Sequence, residues 1–210
     1  MTIPGRDRLR ALVLRYFEVP GARLLGAMGL SPNAVTLLGF CVALGAAVLV
    51  GAGFLLAGGL VFLAGSVLDL MDGAMARQSG RVTRFGGLLD SVMDRLSEAA
   101  LFVGIAVHGV RAGLGEDRLL FLIVALFLAL TASQTVSYLR ARGEAAGIET
   151  KTGVMTRPER VVLLSLGLVL GLRALEVILV IVAAVSALTL LQRLYRIKRE
   201  VREEPVERPG

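Results

Sequence analysis

The sequence predicts an all-α polytopic membrane protein, with six transmembrane helices preceded by an amphipathic interfacial helix. Three observations carry that expectation. Hydrophobic residues make up 55% of the 210, and the mean hydropathy of +0.74 lies far outside the range of an ordinary soluble domain. Apolar runs of about twenty residues, the length that crosses hydrocarbon, recur along the chain. The charges cluster at the ends of those runs and in the connections between them.

Each element has a local cause. Residues 1–31 place Arg6, Arg8, Arg10, Arg15 and Arg23 among Leu12, Val13, Leu14, Phe17, Leu24 and Leu25, the pattern of a juxtamembrane helix lying in the interface and broken at Pro20-Gly21. A solvated basic arm is the alternative. A signal peptide is not expected, because no clean apolar core with a small-residue cleavage site follows the first charges. Ser31-Pro32 then supplies an N-cap and a proline at the first helical position, opening span one, which runs to about Phe54. Span two covers about Leu55 to Arg77, span three Thr83 to Val110, and span four Leu119 to Arg142. A polar hairpin reaches Met155. Span five covers about Thr156 to Leu172 and span six Ala174 to Tyr195. Gly167-x-x-x-Gly171 is a weak signal for close helix approach. The transmembrane unit therefore occupies residues 32–196, and residues 197–210 form a charged tail, a frayed or solvated helix.

Charge sets the expected orientation. Of 23 Lys and Arg residues, only Arg111, Arg118 and Arg173 fall on one side of a six-span arrangement. The positive-inside rule then puts both termini in the cytoplasm, at the inner membrane. A net charge of +6 and a pI near 10.4 do not indicate a nucleic-acid partner here, because aromatics are few and the basic residues flank apolar spans, where they suit anionic headgroups. The lone Cys41 excludes an intramolecular disulfide framework. His108, with no ligand spacing around it, reads as structural.

Four aspartates interrupt this oily chain between Val67 and Ala99. Asp69 and Asp72 share a face at the end of span two, while Gly86, Asp90 and Asp94 line a stripe at the start of span three. Carboxylates so close repel unless cations neutralise them, and a set of oxygen donors suits one or two hard divalent ions, Mg2+ first. Ionisable groups at these depths are costly unless they face a polar cavity or a partner. Glu98 fits either a role orienting Asp94 or a plain ion pair with Arg95 or another arginine. Gly73 and Gly86 leave room for a ligand, and the planar fork of Arg77 suits phosphate oxygens. Together these parts suggest a metal-bridged diphosphate. A second constellation follows span four: Arg140 and Arg142, then Arg157-Pro158-Glu159-Arg160. Arg157 and Arg160 share one side of a helix start, where an anion is favoured. Asn33 and Thr36 read as polar residues at a helix start.

The spacing Asp69-x-x-Asp72-Gly73-x-x-Ala76-Arg77, eight residues, Gly86-x-x-x-Asp90-x-x-x-Asp94 resembles, position for position, the signature of the CDP-alcohol phosphotransferases, integral membrane enzymes of phospholipid synthesis. The resemblance implies transfer of a phosphatidyl group from CDP-diacylglycerol to an alcohol, with release of CMP. It implies metal ligation by Asp69, Asp72, Asp90 and Asp94 (two Mg2+, with Mn2+ possible), Asp94 as general base, and a homodimer. Pro32, Asn33, Thr36, Gly73, Arg77, Thr83 and Gly86 match the positions that hold CDP-diacylglycerol. Tyr138-x-x-Ala141-Arg142 with Gly153-x-x-x-Arg157-Pro158-Glu159-Arg160 and Gln192-Arg193 looks like the actinobacterial phosphatidylinositol phosphate synthase branch. There the positions of Arg140, Arg157 and Arg193 hold the acceptor phosphate of inositol phosphate. Thr156 stands where that branch commonly has Glu, and Arg140 where Lys is usual; glycerol 3-phosphate is the alternative acceptor. From other classes, a cation transporter would place its carboxylates nearer mid-membrane, and a prenyl-transferring enzyme would use more spans and lack the Gly-x-x-Ala-Arg element. A scaffold gives no reason for the spacing.

Overall fold

The computed structural model describes residues 18–80, 82–148 and 153–203. It is all-α. The helices are α1 (Val19–Ala27), α2 (Pro32–Gly51), α3 (Leu55–Gln78), α4 (Arg84–Arg111), α5 (Glu116–Ala145), α6 (Arg157–Leu170) and α7 (Leu172–Glu203). Arg6, Arg8, Arg10 and Arg15 of the expected amphipathic segment lie outside the described residues, as do Lys151 and Thr152 of the polar hairpin and residues 204–210 of the tail.

Local chemistry accounts for most boundaries. The Ser31 hydroxyl accepts a hydrogen bond from Ala34 N, and Pro32 begins α2, so the expected cap is in place. Thr83 does the same for α4, accepting from Gly86 N at 2.9 Å. Thr156 and Glu159 form a reciprocal capping box at the start of α6. Pro20 sits in the first turn of α1 and Gly21 inside it. The Pro-Gly pair thus opens a helix instead of breaking one. Gly21 is the crossing point of α1 on α3, since a Cβ there would lie 2.5 Å from Met71 Sδ.

Six helices occupy the region where six spans were expected, but among the described residues four are long and apolar enough to cross a membrane: α2, α3, α5 and α7. The other two differ for physical reasons. The first turns of α4 carry Asp90, Asp94, Arg95 and Glu98. The 14 residues of α6 reach about 21 Å at 1.5 Å per residue, short of the ~30 Å of hydrocarbon. At the other extreme α7 runs on into the charged tail, which is helical as far as Glu203.

The helices from α2 to α7 close a ring, with packing partners α2·α4, α4·α5, α5·α7, α7·α6, α6·α3 and α3·α2, and α1 lies against α3. In lipid the drive for this assembly is close packing of small residues, not expulsion of water. Gly39 and Gly65 face one another at the α2·α3 contact, where a Cβ on either would meet the other's carbonyl oxygen at 3.3 Å. Gly104 brings α4 onto α2, and a Cβ there would lie 2.3 Å from Ala47 O. Gly167 packs on Leu175 and Ile178 of α7, while Gly171, at φ +95°, makes the α6–α7 turn. The pair expected to bring helices together therefore divides its work. Phe62, Leu101, Ile105, Leu122, Leu164, Leu168, Leu175 and Leu179 are fully buried between helices. Leu60, Val103, Phe121, Phe127 and Val177 point outward, as a surface bathed in acyl chains requires.

Candidate functional site

The end of the ring formed by the C-terminus of α3 and the N-termini of α4 and α6 gathers the ionisable residues. Helical spacing brings Asp69 and Asp72 from α3 beside Asp90 from α4, and one carboxylate oxygen from each lies within 4.8 Å of the others. Asp69 and Asp72 are buried. Every donor is an oxygen, the spacing suits a single shared cation, and buried like charges need one. The three residues thus fit a hard divalent metal. The Thr36 hydroxyl, facing both Asp72 Oδ2 and Pro32 O, ties α2 to this group. Ser31 supplies the cap of α2, which leaves Thr36 and Asn33 to the site side.

Asp94 stands outside the three-oxygen group. Arg157 Nη1 lies 2.6 Å from Asp69 Oδ2, and Nη2 lies 2.6 Å from Asp94 Oδ1. One guanidinium from α6 therefore bridges carboxylates of α3 and α4, supplying the charge both need. Arg157 is placed with the aspartates as well as with the other arginines.

Two cavities flank the cluster, and Asp90 lines both. The first, about 150 Å³, is walled by Pro32, Asn33, Thr36, Asp72, Gly73, Arg77, Thr83 and Gly86 among others. All seven positions matched to CDP-diacylglycerol binding are thus brought to one space. A Cβ on Gly86 would sit 3.0 Å from Thr83 Oγ1 and 3.2 Å from Asn33 Oδ1, so the bare glycine keeps that wall open. Arg77 reaches Glu18 at 3.5 Å, a partner that no motif suggested. The second cavity, about 220 Å³, is lined by Asp94, Arg140, Arg157 and Arg193, and also by Arg95, Glu98, Ser137 and Arg160.

Local structure holds these arginines. Arg193, almost completely buried, donates from Nη1 to Val136 O at 2.8 Å. Gly153, at φ +137°, lets the chain pass against Thr189 and Arg193, where a Cβ would lie 2.4 Å from Thr189 Cγ2. Arg140 pairs with Glu144 at 2.8 Å on an exposed face of α5. Arg95 donates to Ser91 O at 2.7 Å and Ser137 O at 3.3 Å, so it is not the partner of Glu98. That partner is Arg160, whose Nε and Nη2 donate to the two carboxylate oxygens of Glu98 at 2.8 and 3.0 Å. Of the two roles expected for Glu98, the structure shows the ion pair with another arginine; which arginine it would be was not readable in the sequence.

A family model for CDP-alcohol phosphatidyltransferase matches residues 29–191, a stretch that contains the aspartate cluster and both cavities except Arg193. The chain belongs to the CDP-alcohol phosphatidyltransferase family. Within this family it is 40% identical over 149 residues to a phosphatidylinositol phosphate synthase of Mycobacterium marinum, covering 70% of this chain and 62% of that protein, so the match spans less than two thirds of that relative. It is 35% identical over 159 residues to an archaetidylinositol phosphate synthase of Pyrococcus horikoshii, covering 75% of this chain and 79% of the relative. Crystal structures of the Mycobacterium tuberculosis phosphatidylinositol phosphate synthase superpose with a TM-score of 0.78 at 33% identity for the complex with manganese and citrate, covering 92% of this chain and 93% of that one. For the form with CDP-DAG bound the values are 0.77 and 34%, over 92% and 98%. This family member is thus an all-α polytopic membrane protein whose site is fitted to a divalent metal.

Proposed function

We propose that the protein transfers a phosphatidyl group from CDP-diacylglycerol to a hydroxyl of inositol phosphate, giving phosphatidylinositol phosphate and CMP. The observation that carries this is the arrangement of two cavities sharing Asp90 across a carboxylate cluster, one walled by the family's motif residues and the other by arginines. Similarity to a phosphatidylinositol phosphate synthase and an archaetidylinositol phosphate synthase supports the acceptor. The six helices from α2 to α7 form the membrane unit, with both termini and the site at the cytoplasmic face of the inner membrane, and the chain works as a homodimer.

Donor and acceptor then approach from opposite sides of the cluster. Pro32, Asn33, Thr36, Gly73, Arg77, Thr83 and Gly86 hold the cytidine diphosphate portion while the acyl chains stay in lipid. Arg140, Arg157 and Arg193 hold the acceptor phosphate. Asp69, Asp72 and Asp90, with Asp94 nearby, would hold Mg2+, as two ions, with Mn2+ able to substitute. When bound, the metal screens the diphosphate and stabilises charge on the departing phosphate. Asp94 takes the proton from the acceptor hydroxyl, acting through position because a carboxylate is a weak base. The acceptor oxygen forms a bond to the phosphatidyl phosphorus as the bond from that phosphorus to the CMP oxygen breaks. Arg157, which now spans Asp69 and Asp94, must share or exchange these partners for the acceptor phosphate.

The test is CMP release by purified protein in lipid, given CDP-diacylglycerol and a panel of acceptors. Turnover with inositol phosphate is expected. Turnover with glycerol 3-phosphate alone would reassign the acceptor, and no CMP release with any phosphorylated alcohol would remove the proposed activity.

A further inference from the structure

Beyond the three arginines already matched to the acceptor phosphate, the ring interior holds a fourth with unusual surroundings. Arg160 is 2% exposed and Glu98 7%, and the two meet across the ring, since α4 and α6 are not neighbours in it. Glu98 takes Nε and Nη2 of the guanidinium, and Ser137 Oγ lies 3.4 Å from Nη2. Nη1 finds no protein acceptor among the described residues, yet Arg160 lines the larger cavity beside Arg157 and Arg193. A guanidinium carries five N–H donors in a fixed fork. When one edge is locked by a carboxylate, the direction of the remaining N–H groups is fixed, and at a cavity wall they stand ready to donate to a ligand oxygen.

We propose that Arg160 is a specificity-determining contact for the anionic group of the acceptor, and that Glu98 is the positioning residue that fixes its orientation. This rests on the assignment of the larger cavity to the acceptor. A phosphate monoester fits the chemistry: its oxygens accept the unpaired N–H groups, and a planar fork held rigid loses little freedom on binding. A buried pair could instead serve only to join α4 to α6. The two roles differ in what an apolar replacement does, because exchanging a buried ion pair for packed hydrophobic side chains is often neutral or stabilising.

The experiment compares wild type, Glu98→Gln, Arg160→Lys and the double variant Glu98→Leu with Arg160→Met, each as the full chain in lipid. Melting temperature, CMP release against inositol phosphate and against CDP-diacylglycerol, and direct calorimetric binding of inositol phosphate are measured. Glu98→Gln and Arg160→Lys should each raise the KM for inositol phosphate about tenfold, the size of one charge-assisted hydrogen bond, with the KM for CDP-diacylglycerol within about twofold. The double variant should melt near the wild-type temperature and still bind inositol phosphate at least about tenfold more weakly. A double variant that regains both stability and acceptor binding would overturn the proposal and leave the pair as a structural strut. Single variants that melt lower with both KM values unchanged would overturn it equally. Wild type that neither binds inositol phosphate nor releases CMP would instead remove the catalytic assignment, and this proposal with it.

Discussion

Replacing Gly86 with alanine should separate donor binding from everything else the protein does. In the structure the added methyl meets two oxygens, Thr83 Oγ1 at 3.0 Å and Asn33 Oδ1 at 3.2 Å. Thr83 cannot swing away freely, because its hydroxyl caps α4 through Gly86 N, and such a cap contributes about 1 kcal/mol. Against that, alanine in place of glycine favours the helix by roughly 1 kcal/mol. The two effects nearly cancel, so the variant should melt within a few degrees of wild type. The donor-bound state has no such offset. A methyl projecting into a cavity of about 150 Å³ that must close around the nucleotide is an overpacking change, worth about 1–3 kcal/mol. At 1.4 kcal/mol per decade this is a rise in KM for CDP-diacylglycerol of roughly 5- to 150-fold. Acceptor KM should stay put, because the arginine cavity lies beyond Asp90. The assay is CMP release titrated in donor at saturating acceptor, with a thermal melt as the folding control. A donor KM within about twofold of wild type in a folded variant would refute the placement of the nucleotide beside Gly86. An increase confined to the acceptor KM would refute it too.

Other expectations follow from the same geometry. Asp94→Asn should abolish CMP release while CDP-diacylglycerol binding, measured by equilibrium dialysis, stays close to wild type; near-normal turnover would remove the base assignment. Chelation of divalent metal should stop turnover, with Mg2+ or Mn2+ restoring it, and Asp72→Asn should weaken Mn2+ binding read by paramagnetic resonance at least about tenfold, as loss of one charged ligand implies. Gly104→Ala should destabilise the protein by about 1–3 kcal/mol, read as a lower melting temperature, because its methyl would press on Ala47 O at 2.3 Å and push α4 from α2. Gly45→Ala meets nothing within 4 Å and should leave the melt unchanged or slightly raised.

Much of this architecture was legible in the chain because it depends on neighbours in sequence. Ser31-Pro32, read as a cap, begins α2, and Thr83 and Thr156, read as the starts of spans three and five, prove to be local hydrogen-bonding devices of the same kind. The aspartate spacing is likewise local, since a helical period alone puts Asp69 with Asp72 and Asp90 with Asp94 on common faces. Apolarity marked six segments as alike, yet α4 and α6 depart from the spanning pattern, the one by its charges and the other by its length.

Residue order along the chain thus determined that this is a helical membrane protein, where α2, α4 and α6 start, and which carboxylates share a face, because those properties are settled within a few turns of backbone. Tertiary packing decided the partnerships. Glu98 had Arg95 three positions away and chose Arg160, 62 positions distant, and Arg157 reached Asp69 and Asp94 on two other helices. Such choices follow from which helices the glycine contacts bring into one ring. Long guanidinium side chains entering this end of the ring pair with whichever carboxylate the neighbouring backbone presents, and that backbone belongs to a distant part of the chain.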